Sequence, residues 1–361
     1  MNTVESSLEQ LRQRQTTLPF VTAHVPAVTG VLKQTPEDFE VEEIPAYLPS
    51  GEGEHLYLWI EKRELNTPDA ARHLARALQT RPENAGWAGL KDRRAVTRQW
   101  ISFQCPTTPT PESLDVPGVR VLSVSRHANK LRTGHLRGNR FRLRLAGVPD
   151  GQERHVEEAL AHLQQVGLPA YFGTQRFGFG GKNLTNAYAW IVGGERAPQK
   201  PFLRKLFVSA LQGALFNAWL GDRIENKTFG SALLGDLMRK EDTGGIFLCE
   251  DPATDGARIE RWEISPTGPM FGARMKAPTG DALARENEQL ARYGVTMEHL
   301  SRVERFGEGT RRPARVRPDQ VSTERAGADL VLEFRVTPRC LRHRTCLGAV
   351  KTRELSLSEE S

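Results

Sequence analysis

The chain has 361 residues, 38% hydrophobic and 26% charged, the composition of an ordinary water-soluble protein with one large domain or two smaller ones. Lysine plus arginine exceed aspartate plus glutamate by 50 to 44, which permits polyanion binding without establishing it. No stretch is long and apolar enough to span a bilayer, the first residues (MNTVESSLEQLRQRQ) carry no apolar signal-peptide core, and four cysteines do not make a disulfide framework, so the chain reads as cytosolic.

Residues 30–44 turn around Pro36 and then alternate through Phe39, Val41 and Glu43, which predicts a half-exposed strand. Ser50 to Gly53 reads as a turn, and His55 to Ile60 as a strand. Thr67 is expected to cap a helix whose first residue is Pro68 and whose inner face is Ala71, Leu74, Ala75 and Leu78. Trp100 to Phe103 and Phe141 to Leu145 are further strand candidates. After Pro201, a stripe of Leu203, Leu206, Phe207, Ala210, Leu211, Ala214 and Leu215 predicts an amphipathic helix with a core-facing side. Residues 267–281, rich in glycine and proline, read as an ordered loop, and another helix is expected near Ala282 to Tyr293. Strands and helices alternate irregularly, which favours an α+β fold over a doubly wound sheet.

The basic residues cluster. Arg126, Lys130, Arg132, Arg137, Arg140, Arg142 and Arg144 occur with no acidic residue among them, and a second run holds Arg302, Arg305, Arg311, Arg312, Arg315 and Arg317. Such clusters fit either a phosphate-backbone contact or a solvated charged face. Other chemistry-bearing patterns fail. The glycine-rich stretch Gly178 to Asn183 has Arg176 where a phosphate loop needs its first glycine and Asn183 where it needs Ser or Thr. Cys340, His343 and Cys346 lack a fourth zinc ligand nearby.

The segment Ala88-Gly89-Leu90-Lys91-Asp92-Arg93-Arg94-Ala95-Val96-Thr97 sets one carboxylate among three cations. Cationic neighbours favour an ionised carboxylate, and that form suits nucleophilic attack better than proton donation. A loop aspartate that pairs with arginine at the surface is the competing reading on these residues alone.

This segment resembles the catalytic motif of the TruD family of tRNA pseudouridine synthases. Four further stretches resemble that family in order: Lys33 to Glu43, Gly51 to His55, Arg137 to Phe141, and Tyr171 to Gly178. The resemblance covers about residues 30 to 320 and implies an isomerase that converts uridine to pseudouridine in tRNA, at position 13, without a cofactor. It implies Asp92 as the nucleophile, Lys33 as the basic residue supporting it, and Phe39, Asn139 and Phe141 as substrate-binding residues, with Phe141 stacking on the target base. Ordinary core packing is the competing reading for both phenylalanines. The implied fold is α+β: a pseudouridine synthase catalytic domain on a central, mostly antiparallel sheet (residues 1–169 and 318–361), interrupted by an inserted α/β domain (residues 170–317). tRNA is the implied partner, and no obligate protein partner or membrane contact is expected.

The chain departs from the family after Val336. Where the family has Gly-(Ser/Cys/Ala)-(Tyr/Phe)-Ala-Thr, this chain reads Pro338-Arg339-Cys340-Leu341-Arg342-His343. Codons permitted for Arg339 to Arg344, read one nucleotide later, encode Gly-Ala-Tyr-Ala-Thr, which points to a frameshift between about Val336 and Arg339. Two rival functions follow: an RNA-binding protein of the same fold, catalytically impaired by its tail, and a metal-dependent nuclease using Glu42, Glu43 and Asp92.

Overall fold

A computed structural model describes residues 3–32 and 34–336. In chain order these form α1 (Thr3–Thr16), β1 (Val31–Leu32), β2 (Phe39–Pro45), β3 (His55–Arg63), α2 (Thr67–Ala77), β4 (Gly86–Trp87), β5 (Val96–Gln104), β6 (Val119–His127) and β7 (Leu136–Ala146). Next come α3 (Glu153–Val166), β8 (Leu168–Pro169), α4 (Lys182–Ile191), α5 (Pro201–Glu225), β9 (Leu237–Lys240), β10 (Ile246–Leu248) and α6 (Pro252–Glu260). The last are β11 (Ile264–Met270), α7 (Gly280–Arg292), α8 (Met297–Ser301), β12 (Thr310–Pro313), β13 (Arg315–Val316), β14 (Pro318–Ala326) and β15 (Asp329–Val336). The described residues divide into two compact units: 25–164 with 317–336, and 3–24 with 165–316. The N-terminal helix therefore groups with the second of these.

The first unit is built on a nine-stranded sheet of order β14-β15-β7-β2-β5-β3-β6, with β1 beside β7 and β4 beside β5. Its neighbours run antiparallel except for β2 and β5, which pair in parallel through Val41 and Thr97. This is the mostly antiparallel sheet expected of an α+β fold. Strand alternation sorts its residues by face. Leu56, Leu58 and Ile60 of β3 and Ile101 and Phe103 of β5 form an apolar cluster with Ala70, Ala71, Leu74, Ala75 and Leu78, the inner side of α2. At roughly 1.5–3 kcal/mol for each large side chain buried, this cluster fixes α2 to the sheet.

The opposite face of the sheet carries an ionic lattice. Arg98 reaches Glu61 at 2.8 Å and Glu40 at 3.5 Å, while Arg142 reaches Glu40 at 3.0 Å and Glu333 at 3.4 Å. Arg144 pairs with Asp329 at 2.5 Å and with Asp38 at 3.5 Å.

In the second unit α5 is the central element. From Phe207 to Gly221 every residue except Ser209 is buried, so this stretch is enclosed rather than amphipathic. Its buried polar side chains satisfy neighbouring backbone: the Asn217 amide oxygen accepts the Phe172 N–H at 2.7 Å, and its nitrogen donates to the Phe172 carbonyl at 2.9 Å. The glycine- and proline-rich stretch expected to be a loop is in part β11, an inner strand between β9 and β12. The composition is explained by packing. A Cβ on Gly268 would lie 2.4 Å from the Trp219 ring, so only glycine lets the strand approach α5.

Candidate active site

Asp92 lies in the loop between β4 and β5 and is half-buried, with one carboxylate oxygen accepting the Arg93 N–H at 2.9 Å. Three bonds fasten this loop to the end of β3 and the start of α2. Lys62 Nζ donates to the Asp92 carbonyl at 2.8 Å, Thr67 Oγ1 accepts the Lys91 N–H at 2.9 Å, and Arg93 Nε donates to the Glu64 carbonyl at 3.1 Å. Thr67 is thus not the helix cap expected of it. Asn66 caps α2 by accepting the Asp69 N–H at 2.9 Å, which leaves the Thr67 hydroxyl to donate to Gln99 Oε1 at 2.8 Å. Gln99 in turn donates to the Gly89 carbonyl at 3.0 Å.

The cations beside Asp92 are arranged differently from the sequence expectation. Lys91 turns inward and closes an ion pair with Glu43 of β2 at 3.0 Å, both side chains being essentially inaccessible to solvent. Lys62, which sequence reading passed over, is a fully buried cation in electrostatic contact with Asp92. Burial pushes its ammonium down to about 8, against an opposing pull from Asp92 and with a further push from Lys91. A signal was present: in HLYLWIEKR, Lys62 keeps the same alternation phase as Leu56, Leu58 and Ile60.

The same face of the sheet carries the remaining expected residues. Across the strands, Lys62 stands beside Thr97, Thr97 beside Val41, Val41 beside Phe141, and Phe141 beside Phe334. Phe39 lies opposite Leu143, and Asn139 lies opposite Glu43. Alternation therefore puts Lys62, Thr97, Gln99, Glu43 and Asn139 on one polar strip, bordered by Phe39, Phe141 and Phe334. With strands roughly 4.8 Å apart, the strip spans about 14 Å from Lys62 to Phe141.

Two polar atoms on it, Thr97 Oγ1 and Asn139 Oδ1, are buried without a hydrogen-bond partner among the described residues. Such atoms are costly to leave unpaired and are uncommon in folded proteins. Phe39 and Phe141 are each 1% exposed and stack on one another at 6.2 Å, and Phe141 stacks on Phe334 at 5.3 Å. In this structure the Phe141 ring packs against protein on both sides. Lys33 lies outside the described residues.

The two basic runs are largely structural. Arg126 donates to the carbonyls of Cys105, Pro106 and Thr107 at 2.9–3.0 Å. Arg311 is buried against Glu286 at 2.8 Å, Arg315 donates to the Ile259 carbonyl at 2.6 Å, and Arg312 donates to the Ala170 carbonyl at 3.0 Å. Arg93, Arg94, Arg132, Arg137 and Arg140 keep exposed side chains, and Arg137 sits at a β-bulge opposite Ile44 and Pro45. The carboxylates required by the nuclease reading do not converge. Glu43 faces Lys91, whereas Glu42 projects from the other face of β2 toward Arg98.

Known proteins of one family match this chain along most of its length. The family model described as tRNA pseudouridine synthase D (TruD) matches residues 17–195 and 196–340. The tRNA pseudouridine synthase D of Anaeromyxobacter dehalogenans (strain 2CP-C) is 52% identical over 310 residues, covering 84% of this chain and 88% of the relative. That of Thermus thermophilus is 42% identical over 317 residues, covering 88% and 87%. In fold, the chain resembles the crystal structure of the putative tRNA pseudouridine synthase D from Methanosarcina mazei, with a TM-score of 0.73 and 21% identity over 95% of this chain and 98% of that one. The chain belongs to the tRNA pseudouridine synthase D (TruD) family.

Proposed function

We propose that this protein isomerises a uridine of tRNA, at position 13, to pseudouridine, with Asp92 as the nucleophile. The observation that carries the assignment of Asp92 is its setting: a half-buried carboxylate in a loop fixed by Lys62, Thr67 and Arg93, with the adjacent Lys91 drawn away to Glu43. Attack of the carboxylate on the uridine is followed by cleavage of the C1′–N1 bond, rotation of the base, and formation of the C1′–C5 bond. The C5 proton leaves and N1 gains one, so the reaction balances without a cofactor. A fixed loop presents the nucleophile at little further entropic cost.

The target uridine must leave its stack to reach such a site. Asn139 Oδ1, lacking a partner among the described residues, is suited to accept the N3–H of uracil. Phe39 and Phe141 form the apolar border against which the base is held. Because both rings are packed, a base stacking on Phe141 must displace one of its present neighbours. Lys33 is assigned a supporting role by family resemblance alone.

The unit built on the nine-stranded sheet is assigned as the catalytic domain, and residues 165–316 of the unit around α5 as the family's inserted domain. tRNA is the partner, and the cytoplasm, where tRNA is used, is the proposed location. The alternative of an impaired RNA-binding protein is not favoured, since it gives no reason for so constrained an Asp92. Incubating the purified protein with unmodified tRNA and mapping pseudouridine chemically tests the reading. Product at position 13 is expected, and product only elsewhere would overturn the site assignment.

A further inference from the structure

Lys62 is a buried cation that fastens the Asp92 loop but takes no part in the bond-making steps of the proposed reaction. It is 0% exposed, and its Nζ donates to two backbone carbonyls, Leu65 at 2.6 Å and Asp92 at 2.8 Å. A strand lysine in an apolar phase is costly to keep, because neutral side chains of similar length pack there without desolvating a charge. Its two acceptors explain its retention. Leu65 belongs to the turn that follows β3, and that turn also accepts Arg93 Nε through Glu64, a residue held at a φ of 49°. Lys62 therefore joins this turn to the Asp92 loop from the inside, and Arg93 joins them from the outside.

We propose that Lys62 is a positioning residue for Asp92: its buried ammonium ties the Asp92 carbonyl to the Leu65 carbonyl and fixes where the carboxylate stands, and its positive charge is needed for that hold. The inference rests on the reading of Asp92 as nucleophile. Charge-assisted bonds are about twice as strong as neutral ones, and a neutral amine would also lose its attraction to the carboxylate. The groups facing Lys62 are Asp92 and Lys91 from the loop, Thr97 from β5 and Val119 from β6, and Lys91 is itself paired with Glu43.

The test is the pH dependence of single-turnover pseudouridine formation at saturating tRNA. The wild-type rate is expected to hold to about pH 7.5 and to fall as Lys62 loses its proton around pH 8. Fold stability should move the opposite way. The folded-state value lies below the ordinary 10.5, so the unfolded chain binds more protons between the two, and stability rises with pH across that window. Rate lost while stability rises is not unfolding. Lys62→Met should lower the rate roughly 100-fold, the scale of a nucleophile misplaced by about 1 Å, and should abolish the alkaline fall while leaving tRNA affinity unchanged. Lys62→Arg, charged at any working pH, should recover part of the rate and also lack the fall.

A wild-type rate flat to pH 9.5 overturns the proposal, whether or not the variants fold. So does an alkaline fall persisting at the wild-type midpoint in either variant. An Asp92→Ala preparation is run alongside. If it is active, the nucleophile reading fails and this one with it; if it is inactive and Lys62→Met behaves as wild type, only the role of Lys62 fails.

Discussion

Glu43 and Lys91 form a fully buried ion pair at 3.0 Å, and Lys91 immediately precedes the proposed nucleophile. The other Glu43 oxygen accepts the Trp100 N–H at 3.4 Å, so a single carboxylate links β2, β5 and the Asp92 loop. This pair also explains why Lys91, despite its place in the sequence, does not neutralise Asp92.

Glu43→Gln should therefore be more damaging than its small change in shape implies. It leaves a buried ammonium unpaired, at a cost of about 3–5 kcal/mol. Lys91→Met added to Glu43→Gln should restore much of that stability, because the double variant leaves no unpaired charge at this position. Chemical denaturation of the three proteins measures both effects. A single variant as stable as wild type would mean that the pair does not organise the loop.

Gly268→Ala should destabilise the unit around α5 by about 1–3 kcal/mol, the usual cost of overpacking a filled core. The added methyl would lie 2.4 Å from the Trp219 ring and 2.8 Å from that of Phe216. Thermal unfolding measures the loss. An unchanged transition would show that β11 and α5 can separate without penalty.

The arginine runs make a contrasting pair of predictions for tRNA binding. Arg137 is exposed at the β7 bulge, so Arg137→Gln should weaken binding and lower the slope of log affinity against log salt by about one phosphate contact. Arg311→Met, which removes a cation already committed to Glu286, should leave that slope unchanged while reducing stability. Equal slope changes in the two variants would contradict this division.

Much of this was legible in the sequence, and the exceptions have physical causes. The strands β2, β3, β5 and β7 are legible, β2 from the alternation through Phe39, Val41 and Glu43 and the others from short runs of β-forming residues. The motif around Asp92 identified the loop but not what holds it, since Lys62, Thr67 and Glu43 come from separate segments and converge only through sheet register. Thr67 was mistaken for a cap because its neighbour Asn66 has the same capping chemistry. The part of β11 from Thr267 onward reads as loop because Gly268, needed for close packing against α5, looks the same in sequence as a turn glycine. The basic runs fit an RNA footprint or a solvated face in sequence, but guanidinium groups also satisfy buried carbonyls and carboxylates, and composition does not separate these uses.

The frameshift reading concerns residues 337–361, which with Lys33 lie outside those described. It is checked by resequencing the last stretch of the gene. A corrected reading frame should encode Gly-Ala-Tyr-Ala-Thr in place of the stretch beginning near Arg339, and an unshifted read of Cys340-Leu341-Arg342 rejects it.

The central claim is that the Asp92 carboxylate performs the chemistry. Its most direct measurement compares wild type with Asp92→Ala on unmodified tRNA, scoring pseudouridine and tRNA affinity in the same preparations. Loss of product by roughly 10³-fold or more, with affinity retained, is the predicted result, because removing a covalent nucleophile costs at least that much. Product formed by the alanine variant at the wild-type rate would contradict the account.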